Sequence, residues 1–121
     1  MKNIIKVTLI KALYAIDTLN YKIRLKVSKD SQETDVLRVM SEKEKRGEVC
    51  EALARNGNSD GETLDKLFSN NHSSLWADIG IIENHNVKRI TLVKLSMSSA
   101  QMVSDEAKDK LGQCERDDVT Q

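Results

Sequence analysis

No proline occurs in the 121 residues, where average usage of about 5% would supply roughly six. The chain is broken by other residues instead. Breaks fall at Gly47, Asn56-Gly57, Asn58 to Gly61, Ser69-Asn70-Asn71 and Asn84-His85-Asn86. Between them apolar residues recur at helical spacing in short bursts. The bursts are Val36, Leu37 and Met40, then Val49, Cys50 and Leu53, then Leu64, Leu67 and Phe68, then Leu75, Ile79 and Ile82. This pattern predicts several short helices through the middle of the chain, each burying one stripe. Thr34 or Asp35, Ser59 or Asp60, and Ser98 or Ser99 stand where caps are wanted. Gly57 stands where a left-handed residue after a helix end is favoured.

The flanks read differently. In residues 4–19, Ile5, Leu9, Ala12, Leu13, Ile16 and Leu19 share a helical face, although Ile5, Val7 and Leu9 also alternate like a strand. The stripe lasts four turns, which favours helix. Tyr21 to Val27 alternates strictly and predicts a strand, apolar on one face and carrying Lys22, Arg24 and Lys26 on the other. Val87 to Leu95 predicts a second strand. A last helix places Met102, Val103, Ala107 and Leu111 inward and stops at Gly112. No internal repeat is evident. The expected domains are an N-terminal extension (1–44), a compact unit (45–96), and a C-terminal helix with an acidic tail (97–121).

Formal charges cancel at 19 against 19, but unevenly. Residues 1–30 hold seven basic side chains against Asp17 and Asp30, while Asp105 to Asp118 holds six acids against Lys108, Lys110 and Arg116. A basic front and an acidic tail can each meet a partner, or each other. Cys50 and Cys114 make no disulfide framework and are read as reduced thiols of a cytoplasmic protein. The first residues resemble a signal peptide, but Lys6 and Lys11 break its apolar region and no small-x-small site follows. No run reaches the roughly 18 apolar residues of a membrane helix. His72 and His85 lack companions at metal-ligand spacing, and Ser73 and Ser74 beside a histidine do not make a triad. The expectation is a protein without enzymatic activity, cofactor, metal or small-molecule substrate.

The stretch EVCEALARNGNSDGETLDKLFSNNHSSLWADIGIIENHNVKR, residues 48–89, resembles the DNA-binding end of DeoR-type repressors and their winged-helix relatives. The resemblance is carried by Val49, Cys50, Leu53 and Gly57 in a first helix and its stop. Ser59, Glu62, Leu64, Leu67 and Phe68 carry it through the second. Asp78-Ile79, Ile82-Glu83, Val87, Lys88 and Arg89 complete the register without a gap. It implies an α+β fold: a small winged helix-turn-helix with an N-terminal helix or strand extension and a C-terminal helix. It also implies a transcriptional regulator that binds double-stranded DNA, as a homodimer over two half-sites. On that reading Asn71, His72, Ser73, Ser74 and Trp76 face the major groove, supported by Lys88, Arg89, Lys22, Arg24 and Lys26. The match departs where it matters, since residues 72–84 hold no Lys or Arg while Asp78 and Glu83 repel phosphate. Trp76, next to the stripe of Leu75, Ile79 and Ile82, reads foremost as packing. The second reading is therefore a protein–protein interaction module of small α+β fold without a DNA role.

Overall fold

The structure, a computed structural model, describes Val7, Thr8, Lys11 and residues 21–70 and 74–120, with side chains described as far as Gln113. Within residues 21–70 and 74–120 seven helices succeed one another: α1 (Tyr21–Asp30), α2 (Thr34–Lys43), α3 (Gly47–Arg55), α4 (Gly61–Asn70), α5 (Leu75–Glu83), α6 (Arg89–Ser96) and α7 (Gln101–Thr120). No strand occurs among the described residues. The expected α+β winged helix-turn-helix is thus overturned. The register over 48–89 does correspond to three successive helices, α3 to α5. After them the chain forms another short helix, α6, where a wing strand would be needed. Val7, Thr8 and Lys11 have helical backbone, and the rest of residues 4–19 lies outside the described residues.

Both predicted strands fail for one reason. Their alternation coexists with a helical stripe, and tertiary packing selects the stripe. In α1, Leu25 and Ser28 turn inward with Tyr21 beside them, leaving Ile23 exposed. In α6, Thr91, Leu92 and Leu95 are buried, and Ile90 is left outside.

The helices stack in two layers. In one, which we call layer A, α1 packs on α3, α3 on α5 and α5 on α7; in layer B, α2 packs on α4 and α4 on α6. Layer A helices begin at Tyr21, Gly47, Leu75 and Gln101, steps of 26, 28 and 26 residues. Layer B helices begin at Thr34, Gly61 and Arg89, steps of 27 and 28. The chain is therefore a helical-repeat array of two-helix units, a periodicity that the sequence pattern did not disclose. No such unit can bury its apolar stripe alone; stacking joins the stripes into one core. That core runs without interruption from Val36 and Leu37 through Leu53, Leu64, Leu67 and Ile81 to Leu95, Val103 and Ala107.

Side chains pin each turn to the one before. Asn56 Nδ2 donates to the carbonyls of Ser28 (2.9 Å) and Ser31 (3.0 Å), while its Oδ1 accepts from the Asn58 amide at 2.8 Å. Twenty-eight residues on, Asn84 Nδ2 donates to Ala54 O (2.8 Å) and Asn56 O (3.0 Å), and its Oδ1 accepts from the Asn86 amide at 2.9 Å. The Lys110 ammonium continues the ladder by donating to the carbonyls of Ile82 and Asn84. At the opposite helix ends, Asn70 Nδ2 reaches Ser41 O (3.0 Å) and Glu44 O (2.7 Å). These bonds satisfy helix-terminal carbonyls that burial would otherwise leave orphaned.

The caps obey the same economy. Asp60 accepts from the Thr63 amide at 2.8 Å and Ser74 from the Ala77 amide at 3.1 Å, so both start helices. Ser98 accepts from the Ala100 amide ahead of α7. Thr34 is not a cap; its hydroxyl donates to Asn58 O at 3.1 Å, and Glu33 takes the cap position. Helix α3 ends on Asn56. Gly57 does not adopt the left-handed backbone, because the Asn56 side chain already closes the turn.

Candidate interaction surface

The repeat register lines up side chains on the outer face of layer A. The second residue of each helix is exposed: Lys22, Glu48, Trp76 and Met102. Two turns further on, Lys29, Arg55, Glu83 and Asp109 form a parallel exposed column. The first column changes character along the stack, from charged to apolar. Trp76 is 55% exposed and Met102 43%, on adjacent helices of the same layer. Trp76 is thus not packed into the core as its neighbours suggested. Its position points outward while Ala77, Ile79 and Ile81 turn in. An exposed tryptophan is unusual because its large apolar area is stabilised by burial.

Surface charges on both layers are largely engaged with one another. Arg55 bridges Glu83 (2.8 Å) and Glu51 (3.3 Å). On layer B, Lys66 meets Glu42 at 2.9 Å, Lys94 meets Asp65 at 3.1 Å, and Arg38 meets Asp60 at 3.0 Å. Each of these three pairs joins one repeat to the next. Burial alone would raise the Asp60 carboxyl, but the Thr63 hydroxyl and amide and the Arg38 guanidinium outweigh it and hold the pKa below the ordinary value. Asp65 behaves alike: burial opposes, and the Thr91 hydroxyl and Lys94 ammonium prevail. Burial, reinforced by Glu44, pushes the Cys50 thiol up to about 11, which removes thiolate character at neutral pH.

The residues expected to contact DNA are dispersed. Asn71, His72 and Ser73 lie outside the described residues. Ser74 is spent on the α5 cap. Arg24 is turned into the fold, its Nε 2.9 Å from the nearly inaccessible Glu44 carboxylate, which also accepts from the Lys45 and Arg46 amides. Lys26 is exposed and lies 3.6 Å from Asp30. Lys22 and Lys26 sit on α1, in the first repeat of layer A. Lys88 and Arg89 sit at the start of α6, in the last repeat of layer B. Helix α1 packs on α3, and α6 on α4, α5 and α7, so the two basic groups belong to different layers at opposite ends of the stack.

A cleft of about 570 Å³ lies between the ends of α4 and α6 and the start of α5, walled by Phe68, Leu75, Asp78, Lys94 and Met97. No group of three His, Cys, Asp or Glu side chains is placed to hold a metal ion among the described residues, and none of the described helices is long and apolar enough to cross a membrane. Sequence reasoning singled out Trp76, but it placed Met102 inward, where the structure leaves it exposed, and gave no surface role to Ile90 and Met97. Their signal was available only through the repeat register, which sets each beside its counterparts in earlier units.

The class this fold defines is a stack of helical hairpins. Comparison with known proteins adds nothing to that description, as no family model, curated protein or solved structure matches the chain.

Proposed function

We propose that the protein is an interaction module without enzymatic activity, which engages a protein partner on the outer face of layer A. One observation carries this reading: the column that is charged at Lys22 and Glu48 becomes apolar at Trp76 and Met102, beside acidic Glu83 and Asp109. A helical-repeat stack offers a long, rigid face for such contacts. Tryptophan is among the residue types most enriched at binding hot spots. The exposed Asp109 suits a partner segment with an apolar anchor next to a basic side chain, Glu83 being held by Arg55.

The test is site-specific photo-crosslinking in cells, with the photoreactive residue at position 76 or, on the opposite layer, at position 66. Discrete adducts at 76, absent at 66 and lost in a Met102→Asp variant, are expected. Equal labelling at both positions, or none, sinks the reading. The DNA alternative is checked on a mixed-sequence duplex. Binding whose affinity falls steeply with salt would restore it.

A further inference from the structure

One dipeptide runs against the geometry around it. Asn56-Gly57 is the single Asn-Gly pair of the sequence, and neither conformation nor space calls for glycine there. The Gly57 backbone is not left-handed, and an added Cβ would meet only His85 Cε1 at 3.8 Å, an ordinary contact. In the next repeat the equivalent pair is Asn84-His85, whose asparagine pins its turn in the same way. What glycine changes is chemistry. Without a side chain it leaves its own amide nitrogen unhindered and its backbone permissive.

An asparagine carboxamide is open to attack by the amide nitrogen that follows it. The Gly57 nitrogen bonds to Asn56 Cγ, the Cγ–Nδ2 bond breaks, and ammonia leaves with the Gly57 proton. Water then opens the five-membered imide at either carbonyl, giving aspartate or isoaspartate and releasing one proton. The ring closes only when the Gly57 nitrogen eclipses Asn56 Cβ. Asn56 stands at ψ 121°, which turns that nitrogen away from Cβ. Its Nδ2 is held by the carbonyls of Ser28 and Ser31 and its Oδ1 by the Asn58 amide. The fold thus blocks the reaction that the dipeptide invites, while Gly57 itself is exposed to water.

From this we infer that Asn56 is a site of self-modification, a one-way latch between the first repeat and the rest of the stack. While α1 is docked the pair is inert. When the turn opens, the ring closes, and the product cannot restore the pin. A carboxylate has no N–H to donate and faces the carbonyls of Ser28, Lys29 and Ser31, which lose their donor. Isoaspartate also lengthens the main chain by a methylene. Opening of α1 is thereby made permanent, while α5 to α7 keep the pins at Asn84 and Lys110. The inference is independent of the partner face at Trp76.

Peptide mapping by mass spectrometry tests it, with the full chain held at mildly alkaline pH in buffer or in guanidinium chloride. In guanidinium Asn56 is expected to react ahead of Asn84. In buffer it should react at least about tenfold more slowly than in guanidinium, because only the opened turn is competent. Leu25→Ala, which loosens α1, should narrow that gap; Tyr21→Ala, which removes the contacts with Glu48 and Arg46, replaces it if it fails to fold. Gly57→Ala should keep the helicity and slow the reaction several-fold in guanidinium. Reacted chains, separated by their added negative charge and returned to buffer, should lose hydrogen-exchange protection in α1 and keep it in α5 to α7. Equal rates in buffer and guanidinium, or a folded α1 variant that reacts no faster, overturn the proposal. So does a reacted chain whose α1 stays protected or whose protection is lost throughout.

Discussion

At the scale of single residues, the informative side chains are amides and not catalytic groups. Asn84 is 6% exposed, and it satisfies two carbonyls of the preceding turn and one amide of its own. Replacing it with alanine strands those groups in a setting that water reaches poorly. Each buried orphan costs about 1–3 kcal/mol. Asn84→Ala is therefore expected to lose roughly 2–4 kcal/mol of unfolding free energy in urea titration. Asn84→Asp should lose more, because a carboxylate would face the Ala54 and Asn56 carbonyls. Asn58→Ala, at an exposed position near the same turn, should stay within about 0.5 kcal/mol. If Asn84→Ala and Asn58→Ala proved equal, the ladder would have no energetic role. In the sequence these asparagines were legible only as breaks. That each reaches back a full repeat depends on contacts 28 residues away, which no local window contains.

At the scale of elements, the sequence disclosed the helices whose apolar stripe has no competing period. The stripe of Val49, Cys50 and Leu53 in α3 and that of Leu64 and Leu67 in α4 admit one reading. In Tyr21 to Val27 and Val87 to Leu95 both periods are satisfied, and basic residues at alternate positions tip the local reading toward strand. What decides is the neighbour: α1 has α3 to pack on, and α6 has α4 and α7. The repeat was hidden because the position of Asn56 and Asn84 is Ser28 in the first unit, whose hydroxyl stays in its own helix on Leu25 O, and because in the last unit Lys110 reaches back from a different helix position. Trp76 was legible as a residue to watch but not as an exposed one, because facing depends on where α3 and α7 lie. Helix-to-helix approach gives a sharp test. A Cβ on Gly80 would lie 3.0 Å from Ala54 Cβ and 3.2 Å from Arg55 Cγ, whereas one on Gly112 would meet nothing within 4 Å. Gly80→Val should destabilise by roughly 1–3 kcal/mol through overpacking of α5 on α3. Gly112→Ala should stabilise by about 0.5–1 kcal/mol through helix propensity. Thermal melts of the two variants should move in opposite directions, and a shared direction would contradict the packing described.

At the scale of the whole molecule, the two layers hold their repeats together by different means. Layer A relies on close packing and on the side-chain ladder, with one exposed ion pair between repeats, Arg55 to Glu83. Layer B adds an ionic joint at each step, Arg38 to Asp60 and Lys94 to Asp65, and both carboxyls are held below their ordinary pKa in the fold. A carboxyl depressed by folding contributes stability that is fully present above its unfolded value, about 3.9 for Asp. That contribution is lost as pH falls through the lower folded value. The midpoint of thermal unfolding should therefore be nearly flat from pH 7 to about 5, and decline below about pH 4. The Asp60→Asn/Asp65→Asn variant should start lower at pH 7, decline less steeply in acid, and converge on the wild-type curve near about pH 2. Both joints are partly exposed, so each is worth at most about 1 kcal/mol, and high salt should narrow the gap at pH 7. Circular dichroism melts across this pH range decide the matter. Curves that stay parallel throughout the acid range would mean that the joints add no stability and that layer B is held by Leu37, Leu64, Leu67, Leu92 and Leu95 alone.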